Sequence, residues 1–489
     1  MTYPRLLPLL LLALFLLPQP ARSQGFNGRA KTYMSALNIR NLVLDSLPED
    51  AVPGDGVQRT LPDGTNLTCG DEYCQYYRSS KRDRGIIPVI QDLEVNVWTG
   101  ITGLRAYAHV RARETIGDWE VVWPRMEEPV EALSAWVEYR RSFYRVKLGR
   151  IWQTSSLGYY NYDGASASLR LPANLDVDLY GGLSLVRGLN QLHHTDLISA
   201  VEPLAPREDA YIGGVKARWR PWTGLSTSFT YQREQTIDSD NLYSERVAGS
   251  ARLMVDRATV DMEVKYDLAT EQVNLGKLKV AAPIGMGFRG SAEVRTYTPF
   301  FPLWTIWGAF SPVGYDEARA RLDWMASTGE VSGYVSGGYR KYGDTSAEAP
   351  EAYGIEDKGW RLATGGRYDL QESLILSGEY RYDEGYGASR HGGDLSLRRQ
   401  FRRDLYIVLM GTAFETFSEL QVGSGRVFGA GVQGGAPLGP ARVSGSAMFY
   451  KHQPRDQSPR MLDLNQARVS LSVEIPFGRD PGMAEGGYR

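Results

Sequence analysis

The sequence predicts an all-β protein, a single transmembrane antiparallel up-and-down β-barrel of about 22 strands (20–22). Apolar and polar residues alternate with a period of two over runs of about ten residues, the length of a tilted strand that crosses a bilayer. Glycine (53) and tyrosine (29) are abundant, as in all-β proteins. The runs follow one another too closely for crossover helices, so the sheet should be an antiparallel meander.

Residues 1–23 have the pattern of a cleavable secretory signal. Arg5 precedes an apolar run from Leu6 to Leu17, and small residues precede the expected cleavage after Ser23. This run is shorter than the roughly 20 residues that a membrane-spanning helix needs. Cleavage removes two arginines and no acid, which changes the formal charge from −2 to about −4. This balance gives no reason to expect nucleic acid as a partner.

The alternation is clearest in the segment "NLDVDLYGGLSL". Leu175 and Val177 fall on one face of the predicted strand, and Asp176 and Asp178 fall on the other. The pattern recurs in several other segments: 103–113, 258–267, 317–324, 373–383 and 467–477. Because a charge on a lipid-facing position costs about 2–4 kcal/mol at the bilayer midplane, we expect the apolar parity to face lipid.

A soluble β-sandwich also alternates apolar and polar residues, but it has only seven to nine strands. Here the strands are far more numerous, and no linker divides the chain into several domains. Aromatic residues also gather near the predicted strand ends, as Trp98, Trp219 and Phe477 do. Aromatic girdles mark the two interfaces of a membrane barrel. A closed barrel in lipid accounts for all of these observations.

The lengths of the connections alternate along the chain. Links such as Pro172–Asn174 and Gln400–Arg403 are short, whereas Arg187–Asp209 and Thr298–Pro312 are long. Short periplasmic turns and long extracellular loops are typical of outer-membrane barrels. On this basis the barrel is expected over residues 24–477.

Two parts of the chain lie outside the predicted strands. Residues 45–90 should form a large extracellular loop, and residues 478–489 a polar periplasmic tail. The loop contains Cys69 and Cys74, which we expect to form a disulfide in an oxidising compartment. A metal or redox site is the less favoured reading, because no second cysteine pair and no nearby histidine complete a zinc site.

Taken together, the signal segment, the repeated strands, the loop asymmetry and the final strand "VSLSVEIPF" resemble a Gram-negative outer-membrane β-barrel protein of porin-like type. The resemblance covers nearly the whole mature chain and indicates no particular subfamily. It implies a location in the bacterial outer membrane, with outer-membrane lipid and the barrel assembly machinery as partners. The chain departs from the usual pattern after Phe477, where a polar tail follows. The oligomeric state is left open.

Each predicted strand has an apolar face and a polar face. Charged residues on the polar faces are predicted to line the lumen. They are Arg105, His109, Arg111, Arg113, Arg145, Lys147, Asp176, Asp178, Asp261, Glu263, Lys265, Arg319, Arg321 and Asp323. Facing basic and acidic patches would steer charged or dipolar solutes through a pore. The alternative is that these charges only satisfy one another in a plugged or structural barrel.

Two long loops contain candidates for a constriction of the pore. In the segment 300–310, the candidates are Leu303, Trp304, Ile306 and Trp307; in 187–203 they are His193 and His194. The first loop could fold inward, or it could pack on the barrel mouth or the outer leaflet. The adjacent histidines lack a third ligand, so we expect no metal and no cofactor.

Passive passage of small hydrophilic solutes is the function that this pattern favours. The runner-up is a sheath that houses a periplasmic partner such as a redox protein. An outer-membrane hydrolase is the third hypothesis, with His391 or His452 near predicted extracellular strand ends. No Gly-x-Ser-x-Gly turn and no paired nucleophile and base appear in the sequence, so we expect no catalytic residues and no enzyme activity.

Overall fold

Twenty-two strands form one closed antiparallel barrel in the computed structural model of the chain. The structure describes residues 25–39, 42–54, 56–61, 66–70, 72–79, 84–117, 129–185, 209–237, 242–300, 314–343, 357–385, 390–402, 405–416, 425–454 and 465–479. The predicted fold class is confirmed, and the strand number lies within the predicted range.

The strands are numbered in chain order. They are β1 (Gly25–Ile39), β2 (Leu42–Pro48), β3 (Gln58–Thr60), β4 (Asn66–Cys69), β5 (Tyr73–Ser79), β6 (Arg84–Trp98), β7 (Leu104–Ile116), β8 (Val130–Arg140), β9 (Tyr144–Ser155), β10 (Gly158–Leu171), β11 (Leu175–Ser184), β12 (Ala210–Trp222), β13 (Leu225–Thr236), β14 (Leu242–Val255), β15 (Ala258–Asp267), β16 (Gln272–Gly285), β17 (Phe288–Tyr297), β18 (Tyr315–Met325), β19 (Val331–Tyr342), β20 (Lys358–Gln371), β21 (Leu374–Glu384), β22 (Arg390–Arg402), β23 (Leu405–Thr416), β24 (Gly425–Leu438), β25 (Ala441–Pro454) and β26 (Asn465–Arg479).

The barrel consists of β1 and β6–β26, and each strand pairs with its neighbour in sequence. Strand β1 closes the ring because it pairs with both β6 and β26. On the β26 side, Gly28 lies opposite Phe477 and Phe26 lies opposite Arg479. The last strand therefore extends two residues beyond the expected end of the barrel at Phe477.

The links between barrel strands alternate in length as the sequence indicates. At one end of the barrel, here called the short-link end, residues 172–174 join β10 to β11, and 439–440 join β24 to β25. Ala173 and Asn174 adopt positive φ in the first of these turns. At the opposite, long-link end, residues 185–209 and 298–314 connect strands, and the exceptions at this end are the links 156–157, 237–241, 268–271 and 385–389, each of five residues or fewer.

Apolar side chains cover the outer face of the barrel. Leu179, Val264 and Leu409 are 46%, 51% and 53% exposed, although each lies in the middle of a strand. Exposure of many large apolar side chains over a continuous band is typical of a surface that contacts lipid. Buried side chains are instead found mainly on the inner face, and many of them are polar. This arrangement is the reverse of that in a soluble protein, where buried side chains are mainly apolar.

A second, smaller sheet forms between β1 and β6, with the strand order β2-β5-β4-β3. A disulfide joins Cys69 of β4 to Cys74 of β5, and both cysteines are buried together with Val52 and Leu67. The sequence predicted a loop over 45–90, but β6 already begins at Arg84, so the inserted segment ends earlier.

The 3-10 turn at Glu49–Ala51 is the helical element of the described residues. None of the helical structure in these residues is long and apolar enough to span a membrane.

Candidate functional site

The inner face of the barrel can be identified from contacts between strands that are not neighbours. Arg246 on β14 donates a hydrogen bond of 3.4 Å to the hydroxyl of Tyr160 on β10. Three strands separate these residues, so their side chains must meet on the concave side of the sheet. The parity opposite to the exposed apolar residues therefore faces the lumen.

All of the predicted pore-lining residues fall on this inner parity. Arg105, His109, Arg111 and Arg113 lie on β7, Arg145 and Lys147 on β9, Asp176 and Asp178 on β11, Asp261, Glu263 and Lys265 on β15, and Arg319, Arg321 and Asp323 on β18. Most of them take part in ion pairs with inward residues of adjacent strands, several of which the sequence analysis did not single out.

The side chains of β7 are paired with acids of β6 and β8. Arg111 donates two hydrogen bonds to the carboxylate of Asp92, at 2.6 and 3.0 Å. The Nε2 atom of His109 lies 3.6 Å from the same carboxylate. Arg113 forms a buried ion pair with Glu131. These cations are thus held against the wall of the lumen.

A buried carboxylate organises the next group of cations. Glu138 on β8 is 1% exposed, and its carboxylate lies 2.9 Å from Arg105, 3.6 Å from Lys147 and 3.9 Å from Arg145. The Nζ atom of Lys147 also lies 4.3 Å from the ring centroid of Trp136, within the range of a cation–π contact. Glu138 and Trp136 therefore position three of the predicted pore-lining residues.

Glu138 and Trp136 were not predicted as lumen residues because the phase of the alternation changes within β8. The pairing of β7 with β8 shifts register at one point. His109 lies opposite Ser134, whereas the next residue, Val110, lies opposite Ala132, so the pairing skips Leu133. A β-bulge inserts an extra residue and breaks the period of two. The alternation after Ser134 is regular and was the signal that could have placed Trp136 and Glu138 in the lumen.

A layer of buried side chains thickens the lumen wall from β10 to β14. The hydroxyl of Tyr180 on β11 passes over Gly214 and donates to Gln232 on β13 at 3.1 Å. Ser244 donates to Glu234 at 3.1 Å. Because these polar groups are hydrogen-bonded to one another, the layer can stay packed inside the barrel. It narrows the lumen from one side.

Phe300 adds an aromatic ring to this layer. The guanidinium carbon of Arg246 lies 3.6 Å from the centroid of the Phe300 ring, although Phe300 follows the end of β17 and Arg246 belongs to β14. The chain therefore turns over the lumen as it leaves β17. The six constriction candidates lie outside the described residues: His193, His194, Leu303, Trp304, Ile306 and Trp307.

A polar recess of about 560 Å³, which we call the basic recess, lies on the lumen wall of β12–β17. Its three acids are bound to neighbours: Asp261 accepts from Arg252 at 2.5 Å, Glu263 lies 2.7 Å from Lys277 and 3.2 Å from Lys265, and Glu293 lies 3.6 Å from Arg295. The recess is also lined by three further cations, Lys216, Arg218 and Lys279. In the described part of the chain no ion pair neutralises these three, so this wall carries a local excess of positive charge.

A second buried carboxylate lies on β18. Glu317 is 1% exposed and lies 2.8 Å from Arg295, 3.3 Å from Arg340 and 3.8 Å from Arg361. Asp383 on β21 completes this network, at 3.1 Å from Arg361. Burial of a carboxylate is costly unless cations and hydrogen bonds compensate, and here Arg295 and Arg340 both donate to Oε2 of Glu317.

A larger recess of about 980 Å³, here called the mixed recess, follows the lumen wall from β17 to β25. One part of its lining is apolar: Met410, Phe414, Met448 and Tyr450. The rest is charged or small: Arg289, Arg321, Asp323, Arg367, Glu379, Asp394 and several serines and glycines. Arg321, a predicted pore-lining residue, bonds to Asp323 at 2.6 Å and lies 3.7 Å from the ring centroid of Tyr334.

Within the described residues, no group of three or more His, Cys, Asp or Glu side chains could hold a metal ion. His391 on β22 lies 3.3 Å from Glu415 and stacks on Tyr382 with 6.3 Å between ring centroids. His452 lies on β25, on the far side of β23 and β24 from His391.

No family model and no curated protein matches the sequence. Among solved structures, OccAB1 of Acinetobacter baumannii is similar over 93% of this chain and 97% of its own, with 10% identity and a TM-score of 0.40. A BenF-like porin of Pseudomonas fluorescens is similar over 94% and 99%, with 8% identity and a TM-score of 0.39. The siderophore receptor PirA of Pseudomonas aeruginosa is similar over 94% and 81%, with 10% identity and a TM-score of 0.42. At this identity and TM-score, the likenesses assign the chain to no family and no function.

Proposed function

We propose that the chain is a channel of the bacterial outer membrane that lets small hydrophilic solutes pass by diffusion. The observation that best supports this proposal is the contrast between the apolar outer face and the charged inner face of a closed barrel. The outer face exposes large apolar side chains, and the inner face carries ion-paired and unpaired charges around recesses of hundreds of Å³. A barrel of this size with a charged interior holds water, and water-filled barrels conduct solutes.

The outer face supports the membrane location. Trp152 and Tyr159, in edge-to-face contact at 6.2 Å, are exposed near the long-link end, and Trp219 and Trp222 are exposed near the short-link end. Exposed aromatic residues at both ends of an apolar band suit the two interfaces of a bilayer. Outer-membrane lipid is then the contact of this face, and insertion requires the barrel assembly machinery.

The inner face supports selective passage rather than an unrestricted hole. The buried layer of β10–β14 occupies one side of the lumen, and the unpaired cations of the basic recess lie beside it. A local excess of positive charge in a narrow, low-dielectric passage raises the local concentration of anions. We therefore expect solute choice to depend on the lumen charges.

The alternative function is a sheath that houses a periplasmic partner. Such a sheath needs a lumen wide enough for a folded protein, and the buried layer on β10–β14 reduces that width. Diffusion of small solutes fits this interior better.

Single-channel conductance of the refolded protein in a planar bilayer tests the proposal. Large, steady current steps with an ion preference are expected. Replacement of Asp176, Asp178 and Asp261 by lysine should shift the reversal potential toward anions, because these carboxylates line the lumen. The outward substitution Val177→Ile, on the same strand as two of these acids, is the matched control and should leave the preference unchanged. Absence of current from a correctly folded barrel would overturn the proposal.

A further inference from the structure

We propose that the mixed recess is a binding site for organic cations, that is, for an ammonium group attached to an apolar body. This inference deepens the proposed function and rests on it for its role in transport, since it names a class of solute that would bind on the lumen wall. Binding itself requires only the folded barrel.

The centre of the recess is concave because small side chains occupy three successive strands. Ser377 on β21, Ser396 on β22 and Thr412 on β23 all contribute to its lining. Ser377 and Ser396 are hydrogen-bonded to each other at 2.7 Å. Short side chains leave room over the backbone, and this area is one part of a recess of about 980 Å³, so a small molecule fits within it.

An available carboxylate lies at the edge of this concave area. Asp394 is exposed to the lumen, and its cross-strand neighbours are Glu379 and Thr412. Glu379 is engaged, since it accepts a hydrogen bond from Tyr334 and forms an ion pair with Arg381. Among the described residues, no hydrogen bond or ion pair holds Asp394, although Arg381 is close enough to interact with it electrostatically. Asp394 can therefore pair with a cation from solution.

The basic residues of the recess are less available to an anion. Arg321 is bonded to Asp323, and Arg367 donates to Asp369 at 2.7 Å. Arg289 lies on β17, five strands from Asp394 on β22. At roughly 4.8 Å per strand this is about 24 Å along the wall, too far for a small solute to contact both.

The apolar residues lie where the body of such a cation would extend. On β23, Thr412 lies directly opposite Asp394, so Met410 and Phe414 are its diagonal neighbours. Diagonal positions on one face of a sheet are about 7–8 Å apart. Met448 on β25 continues the apolar surface, since its side chain lies over Gly431 of β24. Methionine side chains are adaptable partners for apolar groups, and aromatic rings attract ammonium groups.

Titration calorimetry of the full, refolded barrel in detergent tests the proposal, with phenethylammonium as the probe. The charge-reversed comparison is 3-phenylpropanoate, which keeps the ring and carries a carboxylate. We expect phenethylammonium to bind the wild type and 3-phenylpropanoate to bind at least tenfold more weakly. Asp394→Asn should weaken phenethylammonium binding at least tenfold, and Met410→Ala should weaken it severalfold. Glu271→Gln, which removes an exposed carboxylate in the link between β15 and β16, is the control and should leave phenethylammonium binding unchanged.

Two results would overturn the inference: no binding of phenethylammonium to the wild type, or unchanged binding to a folded Asp394→Asn variant. Conductance of the same preparations separates this inference from the proposed function. A conducting barrel that does not bind phenethylammonium overturns the inference alone, whereas a barrel that binds it but does not conduct overturns the channel proposal alone.

Discussion

The hydroxyl of Tyr334 on β19 donates a hydrogen bond to the carboxylate of Glu379 on β21, across the intervening strand β20. The ring can cross because Gly365 lies beneath it on β20, directly opposite Tyr334. A Cβ at Gly365 would lie 2.7 Å from the ring. In the other half of the barrel, Tyr180 crosses a glycine in the same way. A ring that lies flat on the wall takes up less of the lumen than a ring that projects inward.

Replacement of Gly365 by alanine should displace the Tyr334 ring into the lumen and break its bond to Glu379. We expect a loss of about 1–3 kcal/mol in the free energy of unfolding, as for other overpacked sites, and a lower single-channel conductance. Gly366→Ala is the control, because Gly366 faces outward and a Cβ there would lie 3.4 Å from its nearest neighbour. Equal stability and conductance of the two variants would contradict the prediction.

Removal of the buried Glu138 carboxylate should leave three inward cations without their shared partner. The pairs are partly open to solvent on the cation side, so we expect Glu138→Gln to cost about 1–3 kcal/mol rather than the larger loss of a fully buried pair. The freed cations should also shift the reversal potential toward anions. Denaturant unfolding and bilayer recordings measure both effects. Glu271→Gln, at the exposed link between β15 and β16, should change neither the stability nor the reversal potential. An equal shift of the reversal potential in this control would refute the assignment of Glu138 to the lumen.

The unpaired cations of the basic recess predict a salt-dependent anion preference. Lys279→Glu should reduce or reverse the preference at low salt, because it removes one unpaired positive charge and adds a negative one. The difference from wild type should nearly vanish at 1 M salt, where the Debye length is about 3 Å. Reversal potentials measured under salt gradients at two mean concentrations test this. Lys358→Glu, near the long-link end of β20, should have a smaller effect, and an equal effect would argue against a special role for the recess.

Reduction of the disulfide should affect the small sheet and leave the barrel intact. Cys69 and Cys74 join β4 to β5, and no barrel strand contains either residue. Loss of the cross-link should destabilise the small sheet by roughly 1–3 kcal/mol. Hydrogen exchange over residues 42–79 should therefore rise in the Cys69→Ser, Cys74→Ser double variant, while exchange in β10–β26 stays unchanged. Faster exchange throughout the barrel would show that the two sheets depend on each other.

The barrel could be predicted from the sequence because one physical rule applies to every strand. A lipid-facing position must be apolar, so the alternation in a segment such as 258–267 shows both the strand and its faces. The candidate site was less accessible, since its geometry depends on which residues meet across strands. Glu317 lies on the polar parity of the segment 317–324, but its three arginine partners come from β17, β19 and β20. The alternation within a single strand does not show that these three arginines meet at Glu317.

The small sheet was missed for a different reason. Its strands β3 and β4 have only three and four residues, which is too short for alternation to be recognised. The pair Cys69 and Cys74 marked the position of a cross-link but not the strands that it joins. Short strands held by a disulfide and a few buried side chains are decided by tertiary contacts rather than by periodicity.

The seam between β1 and β26 has a consequence for how the protein reaches its native state. These strands lie at opposite ends of the chain, and the pair Ala36 and Val469 is separated by more than four hundred residues. Contacts of such sequence separation form slowly, since a very long loop must close before they contribute any stability. Until β26 has been synthesised and has docked, β1 and β25 each present an unpaired edge that could join the wrong strand. Biogenesis therefore requires that the two open edges be kept apart from other chains, and closure of this seam is the step that commits the barrel to its final form.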